Sequence, residues 1–186
     1  ERAIIIGWMP TRDNDIFIEN KMPWNQQMSF PSTMELRTTE NGIKLFRNPI
    51  KEIENLYIKT YSYNNKSINY INRSLARISP ELIDLSLNFK PIKNDEFKIS
   101  IRGQEIIYKN QNFIFQDTNV PAKQRNGKTS IRVLLDRSSI EIYVNEGENI
   151  MTTYAVSNKK NKNVSISSNR NMRINLELNE LKSSWE

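Results

Sequence analysis

Neither cysteine nor histidine occurs in this 186-residue chain. Without cysteine there is no disulfide, no thiolate metal site and no thiol nucleophile. Without histidine the commonest general base and zinc ligand is gone, and Ser-His-Asp chemistry goes with it. Long apolar runs are missing too. Nothing approaches the ~20 residues that cross a bilayer as a helix, so a soluble protein with no membrane partner is expected. The opening ERAIIIGW has no basic start, no longer apolar stretch, no small-residue cleavage site and no initiator methionine. It reads as cut from a longer chain.

Charge is present but unfocused. The formal net charge is +6, yet the basic residues are scattered, and the one dense run, NKKNKN at 158–163, lies between two strand-like segments. A nucleic-acid surface would need arginine or aromatic partners beside such a run, so the run is expected to be a solvated loop and no nucleic-acid partner is implied. Asn, Lys and Ile are abundant together, as in an AT-rich genome, which makes the basic balance a weak indicator of partners. Clustered Asp and Glu with calcium-loop spacing are lacking. No metal and no cofactor are implied.

What is there is period-two alternation. Ile83, Leu85, Leu87 and Phe89 interleave with Asp84, Ser86 and Asn88, and Phe97, Ile99 and Ile101 interleave with Lys98 and Ser100, the pattern of half-buried strands. Ile106 and Tyr108, then Phe113 and Phe115, flank KNQN as a hairpin with a four-residue loop would. Further strands are expected at SIRVLLD, IEIYVN, NIMTTYAV, NVSISS and MRINLELNEL. Strands at such spacing, with no convincing amphipathic helix between them, predict two packed antiparallel sheets.

The first sixty residues differ. AIIIGWM reads as a strand buried on both faces; MSFPSTMELRTT and IKLFRNP follow, the latter pair separated by the ENG turn at 40–42. This predicts a three-strand meander. IKEIENLYI at 50–58 suggests a short helical or extended linker, which puts a domain boundary near 58: residues 1–58 as one unit, 59–186 as the other.

The densest cluster of candidate chemistry is VLLDRSSIEIYVNEGE at 133–148, with Asp136, Glu141, Glu146 and Glu148. A glycosidase needs two carboxyls about 5 to 9.5 Å apart, one of them with a raised pKa. Each of these has a plainer role. Asp136 opens the DRSS turn, where its side chain can accept from backbone N–H groups two residues on. Glu146 and Glu148 fall at the NEGE turn, where Gly147 is free to take positive φ, and are expected at an exposed tip. Glu141 is left in mid-strand on the polar face, two residues from Tyr143. The residues favour a scaffold hairpin over an active site.

LLDRSSIEIYVNEGENIMTTY resembles the signature of the C-terminal β-sandwich of glycoside hydrolase family 32, the invertases, inulinases and levanases. RAIIIGWM is similar to the family's last propeller blade, MPWNQQMSFPSTMEL to its segment ending Pro-Arg-Glu-Leu, and LKSSW to its usual chain end. Ser32 and Thr33 stand where Arg and Glu are usual. The resemblance implies an all-β fold: a two-sheet antiparallel sandwich, jelly-roll or concanavalin-like, preceded by a meander from the last blade of a five-bladed propeller. It implies an accessory part of a retaining enzyme that cleaves fructan or sucrose, partnered by its own N-terminal propeller. The family's catalytic motifs, Asn-Asp-Pro-Asn, Arg-Asp-Pro and Glu-Cys, do not occur in residues 1–186, so no catalytic residue is expected here.

The family's last blade contributes aromatic wall to the sugar pocket, which makes Trp8 and Trp24 the substrate-contact candidates, with Asn25, Gln26 and Gln27 as weaker ones. Packing against neighbouring blades, as happens to most propeller aromatics, is the plainer explanation of both tryptophans. Two other readings stand beside the accessory domain. A carbohydrate-binding module would need an exposed row of aromatics on one sheet face, where Tyr143 and Tyr154 are the candidates, and a structural domain would form a homodimer. NKS at 65–67, NRS at 72–74 and NVS at 163–165 fit the glycosylation pattern, as chance matches do in an Asn-rich chain.

Overall fold

A computed structural model describes residues 1–10, 16–156 and 161–184 of the chain. The strands are β1 (Ala3–Ile5), β2 (Trp8–Met9), β3 (Gln27–Met28), β4 (Ser32–Thr39), β5 (Gly42–Pro49), β6 (Tyr57–Ser67), β7 (Leu82–Phe89) and β8 (Phe97–Ile101). They continue as β9 (Gln104–Lys109), β10 (Asn112–Phe115), β11 (Thr118–Pro121), β12 (Thr129–Leu135), β13 (Ser139–Val144), β14 (Asn149–Tyr154), β15 (Val164–Ser168) and β16 (Arg173–Leu181). Helices are few: α1 (Ile16–Glu19), α2 (Ile68–Leu75) and a 3-10 turn at Lys51–Leu56.

Two antiparallel sheets face each other. One has six strands in the order β14-β13-β12-β7-β16-β6, the other five in the order β11-β10-β9-β8-β15. The alternation read from the sequence defines their inner faces: Ile83, Leu85, Leu87, Ile131, Val133, Ile140, Ile142, Phe97, Ile99 and Ile101 all enter one core. Removing these side chains from water is the main force closing the sandwich. The fold is the expected all-β two-sheet sandwich. The run NKKNKN lies partly outside the described residues; Asn161, Lys162 and Asn163 are exposed.

Before the sandwich comes a three-stranded antiparallel sheet, β1-β4-β5, with a separate β2-β3 pair. The turn at 40–42 joins β4 to β5, Thr39 pairing with Gly42. This meander lies on the outer face of the six-stranded sheet, where Ile53, Leu134, Tyr143 and Leu181 form a second, smaller core with Phe30 against it.

Four expectations need correction. β1 is not buried: Ile4 and Ile5, with Ile6 just after it, are 44%, 37% and 50% exposed, because β1 is the outermost strand of its sheet and nothing among the described residues fully covers its apolar side chains. The KNQN hairpin is tighter than expected, since Lys109 pairs directly with Asn112. The two residues between them, Asn110 and Gln111, both take positive φ, 51° and 58°, which gives the primed two-residue turn whose twist suits paired strands. An amphipathic helix does interrupt the strands: α2 buries Ile68, Ile71 and Leu75, and the Ser67 side chain caps it by accepting from the Tyr70 N–H. Finally, the outer face of the six-stranded sheet is polar in composition but largely buried, with Asp84 and Glu141 0% and 2% exposed.

Candidate functional site

The outer face of the six-stranded sheet, under the meander, holds the buried chemistry. On β13, alternation sends Ile140, Ile142 and Val144 into the main core and Glu141 and Tyr143 outward. Glu141 is held from three sides. The Phe30 N–H donates to its Oε1 at 2.6 Å, and the hydroxyls of Tyr143 and Thr152 donate to its Oε2 at 2.6 and 3.3 Å. Burial pushes its carboxyl above the ordinary value of 4.5, and those hydrogen bonds, with Arg47, only partly offset it. Burial and the neighbouring Glu141 charge together raise the Tyr143 hydroxyl far above its usual range. Ser32, at the position where the family pattern has Arg, lies 3.2 Å from the Tyr143 hydroxyl.

A second polar group sits further along the same face. Arg132 on β12 bonds both oxygens of Asp84 on β7, at 2.9 and 2.6 Å, and Tyr57 donates to the same carboxylate at 2.5 Å. The Tyr57 hydroxyl is raised well above its ordinary pKa, by burial first and by Asp84 second. Such a pair is costly to break, because removing one partner leaves a buried, uncompensated charge.

The tip of the β13–β14 hairpin is not free. Arg47 on β5 donates its N–H to the Gly147 carbonyl at 3.0 Å, and the Asn48 amide donates to the Glu146 carbonyl at 2.7 Å. Glu146 pairs with Arg37 and has a 75% exposed side chain, as expected of a tip. Glu148 departs from that expectation: its side chain is 9% exposed, clamped between Lys44 and Arg125 at 2.6 Å each. Burial alone would raise its carboxyl, but the two cations hold it below the ordinary value. Gly147 takes φ +82°, and a Cβ there would sit 1.7 Å from the Arg47 carbonyl oxygen. Sequence reasoning saw the need for positive φ at Gly147 but missed the close approach that forbids any side chain.

Asp136 sits in the turn expected of it, but its Oδ1 accepts from the adjacent Arg137 N–H at 2.7 Å, one residue on and not two, while its own N–H donates to the Ser139 carbonyl at 3.0 Å. Between meander and sandwich lies a cavity of about 420 Å³ lined by Trp8, Met9, Phe30, Arg47, Glu141, Thr152 and Tyr154 among others. Glu141 is the only carboxylate among its described lining residues. Two-carboxyl glycoside cleavage needs a second one across the sugar, and the described lining residues do not supply it.

Trp8 stands at the rim of that cavity, 65% exposed on β2. Trp24 is 46% exposed in the loop before β3 and is not among the lining residues, so the two rings are not brought together at this cavity. Of the amides beside Trp24, Gln27 is committed to structure: its oxygen accepts from Ser138 and its Nε2 donates to the Met9 sulfur. Tyr143 is 1% exposed. Tyr154 is half-buried, its hydroxyl donating to the Met9 carbonyl and its ring edge-on to Phe17 at 5.3 Å. An exposed aromatic row on this face is therefore not available at either tyrosine. The Asn72 side chain, one of the glycosylation-pattern asparagines, bonds both the N–H and the carbonyl of Ile166.

Comparison with known proteins agrees with this geometry. Residues 98–182 match the model for the C-terminal domain of glycosyl hydrolases family 32. A levanase of Bacillus subtilis (strain 168) is 24% identical over 214 residues, covering 99% of this chain and 31% of that protein. A sucrose-6-phosphate hydrolase of Klebsiella pneumoniae is 23% identical, covering 82% of this chain and 31% of its own length. The chain thus spans about a third of the curated relatives it matches. Among solved structures, an exo-inulinase from Aspergillus awamori superposes with a TM-score of 0.71 at 17% identity, over 98% of this chain and 41% of that one. A sucrose-6-phosphate hydrolase from Lactobacillus gasseri gives 0.74 at 16%, over 98% and 39%. Residues 98–182, which carry the signature strands β12 and β13, match the C-terminal domain of glycoside hydrolase family 32, and nearly the whole chain shares the fold of these relatives.

Proposed function

We propose that the chain is the accessory C-terminal part of a retaining glycosidase acting on fructan or sucrose. Residues 59–186 are the sandwich, and residues 1–58 are the remnant of a last propeller blade with its linker. The sandwich stabilises and shapes the catalytic propeller, and the chain alone is inactive. The observation that carries this reading is a contrast. The sandwich seals its own core, whereas the meander leaves Leu36, Ile43 and Leu45 exposed at 71%, 71% and 45% along with the isoleucines of β1. Strand pairing puts Ile5, Leu36, Ile43 and Leu45 on one face of the sheet, and an exposed apolar face of this kind is what strands show when their packing partner lies elsewhere.

The buried carboxylates fit the same reading. Glu141 and Glu148 each take one partner from the meander, the Phe30 N–H and the Lys44 ammonium, and the rest from the sandwich, so they attach one unit to the other. Trp8, at the rim of the cavity, is the residue best placed to offer a flat apolar ring to a fructosyl unit of the parent's substrate, and Trp24 would serve further out. The test is fructose release from sucrose, inulin and levan, by this chain and by the longer protein. Release by the longer protein and none by the chain is the expected result. Release by neither would remove the glycosidase reading.

A further inference from the structure

A second groove lies away from the meander, at the open side of the sandwich. β6 is the outermost strand of the six-stranded sheet. Its Lys59, Tyr61 and Tyr63 pair with Glu180, Leu178 and Leu176 of β16. Leu176 and Leu178 belong to the main core, so the two tyrosines also face inward. α2 packs against both β6 and β15, and its Ser74 forms the opposite wall with Arg77 and Ser79 of the segment after it. The space between is about 460 Å³.

The rings are held before anything binds. The Tyr61 hydroxyl donates to Glu180 Oε1 at 2.9 Å, and the Lys59 ammonium lies 5.0 Å from its ring centroid. Tyr63 meets Tyr70 edge-on, centroids 6.4 Å apart. Facing them, the exposed Arg77 guanidinium has no hydrogen bond or ion pair among the described residues, and Glu180 Oε2 has no hydrogen-bond partner there either. Two fixed aromatic rings, one free planar donor and one free acceptor match what a sugar offers: an apolar C–H face and hydroxyls that both donate and accept. Fixed rings also lose little conformational freedom on binding.

We propose that this groove is a secondary, non-catalytic site for a β-fructosyl oligosaccharide, which holds a polymeric substrate on the sandwich. The identity of the sugar rests on the functional reading above; the groove itself does not. Tyr61 and Tyr63 stack on the furanose rings, Arg77 donates to ring or hydroxyl oxygens, and Glu180 accepts a hydroxyl proton.

The experiment is calorimetric titration of this chain with short levan-type and inulin-type oligosaccharides, repeated with Arg77→Ala and Tyr63→Ala. Arg77 is exposed and unpaired among the described residues, so its variant folds even where Tyr63→Ala is destabilised. The expected result is binding that each variant weakens about tenfold, with the melting temperature of Arg77→Ala unchanged. Absence of binding, binding unaffected by Arg77→Ala, or binding of inorganic phosphate in place of sugar would each overturn the proposal. So would a dimer in sedimentation that Arg77→Ala abolishes, since the groove would then be an interface. In the longer protein, Arg77→Ala should raise KM for levan or inulin and leave sucrose turnover unchanged. A longer protein active on fructans, with no such change in KM, refutes the groove alone; one active on no fructoside refutes the functional reading.

Discussion

Gly147→Ala is the most informative single change for how the two units are joined. The residue sits at φ +82°, and a Cβ would lie 1.7 Å from the Arg47 carbonyl oxygen, inside any tolerable contact and against backbone that cannot swing away. Alanine in the left-handed region costs about 1 to 2 kcal/mol. The overlap forces the tip off β5, which gives up the Arg47 N–H bond to Gly147 and the Asn48 amide bond to Glu146, about 1 kcal/mol each. The exposed Arg37–Glu146 pair adds little. The total is about 3 to 4 kcal/mol, read as the shift in urea unfolding free energy. Gly147→Asn separates the two causes, since Asn tolerates positive φ but still carries a Cβ; it should recover about 1 kcal/mol and no more. A Gly147→Ala variant within ~0.5 kcal/mol of the parent would show that the tip does not rest on β5.

Other perturbations test other parts of the account. Hydrogen exchange should be faster in AIIIGWM than in IEIYVN, because β1 is an exposed edge and β13 is buried between two strands; the reverse order would contradict the division near residue 58. Arg132→Met leaves Asp84 buried without its guanidinium and should cost about 3 to 5 kcal/mol, while Arg132→Met with Asp84→Leu recovers most of it in the same urea assay. pH dependence has two signs. Glu148, and Asp95 paired with Arg170 at 2.5 Å before β8, have lowered folded pKa values, so their stabilisation is present above the ordinary carboxylate range and is lost as pH falls through the folded values. Glu141 is raised, so it subtracts stability as pH climbs from about 4.5 through its folded pKa. Glu148→Gln should flatten the acid limb of a urea-midpoint profile and Glu141→Gln the limb above 4.5; exchanged effects would contradict these assignments.

The inner faces of the sandwich were legible because strict alternation of Ile, Leu and Phe leaves only one face to bury. The outer face was not, since alternation marks Asp84, Arg132, Glu141 and Tyr143 as polar without saying whether water or another layer satisfies them. Here Phe30, Ser32 and Tyr57 do so, from positions 27 to 111 residues away in the chain. β6 escaped notice because YIKTYSYNNKS mixes tyrosine, lysine and asparagine, as an edge strand can when one face is only half covered. α2 is two turns of INYINRSL, too short and too poor in strong helix formers for its periodicity to stand out. Its Ser67 cap was the available signal. The site candidates fared according to the same physics: Trp8 could be placed at a rim only once β2 and the hairpin were brought together, and the contacts of Glu148 depend on Lys44, 104 residues away.

The central claim is that the carboxylates of residues 133–148 hold the structure together and do no chemistry. Turnover of fructan by the longer protein carrying Glu141→Gln, measured beside its melting temperature, tests this most directly. The glutamine keeps an acceptor for Phe30 and presents an amide to hydroxyls that can turn to meet it, so turnover per folded molecule should stay within about tenfold of the parent while any loss appears in stability. A fall of several orders of magnitude with an unchanged melting temperature would place a working carboxylate in this hairpin and contradict the account.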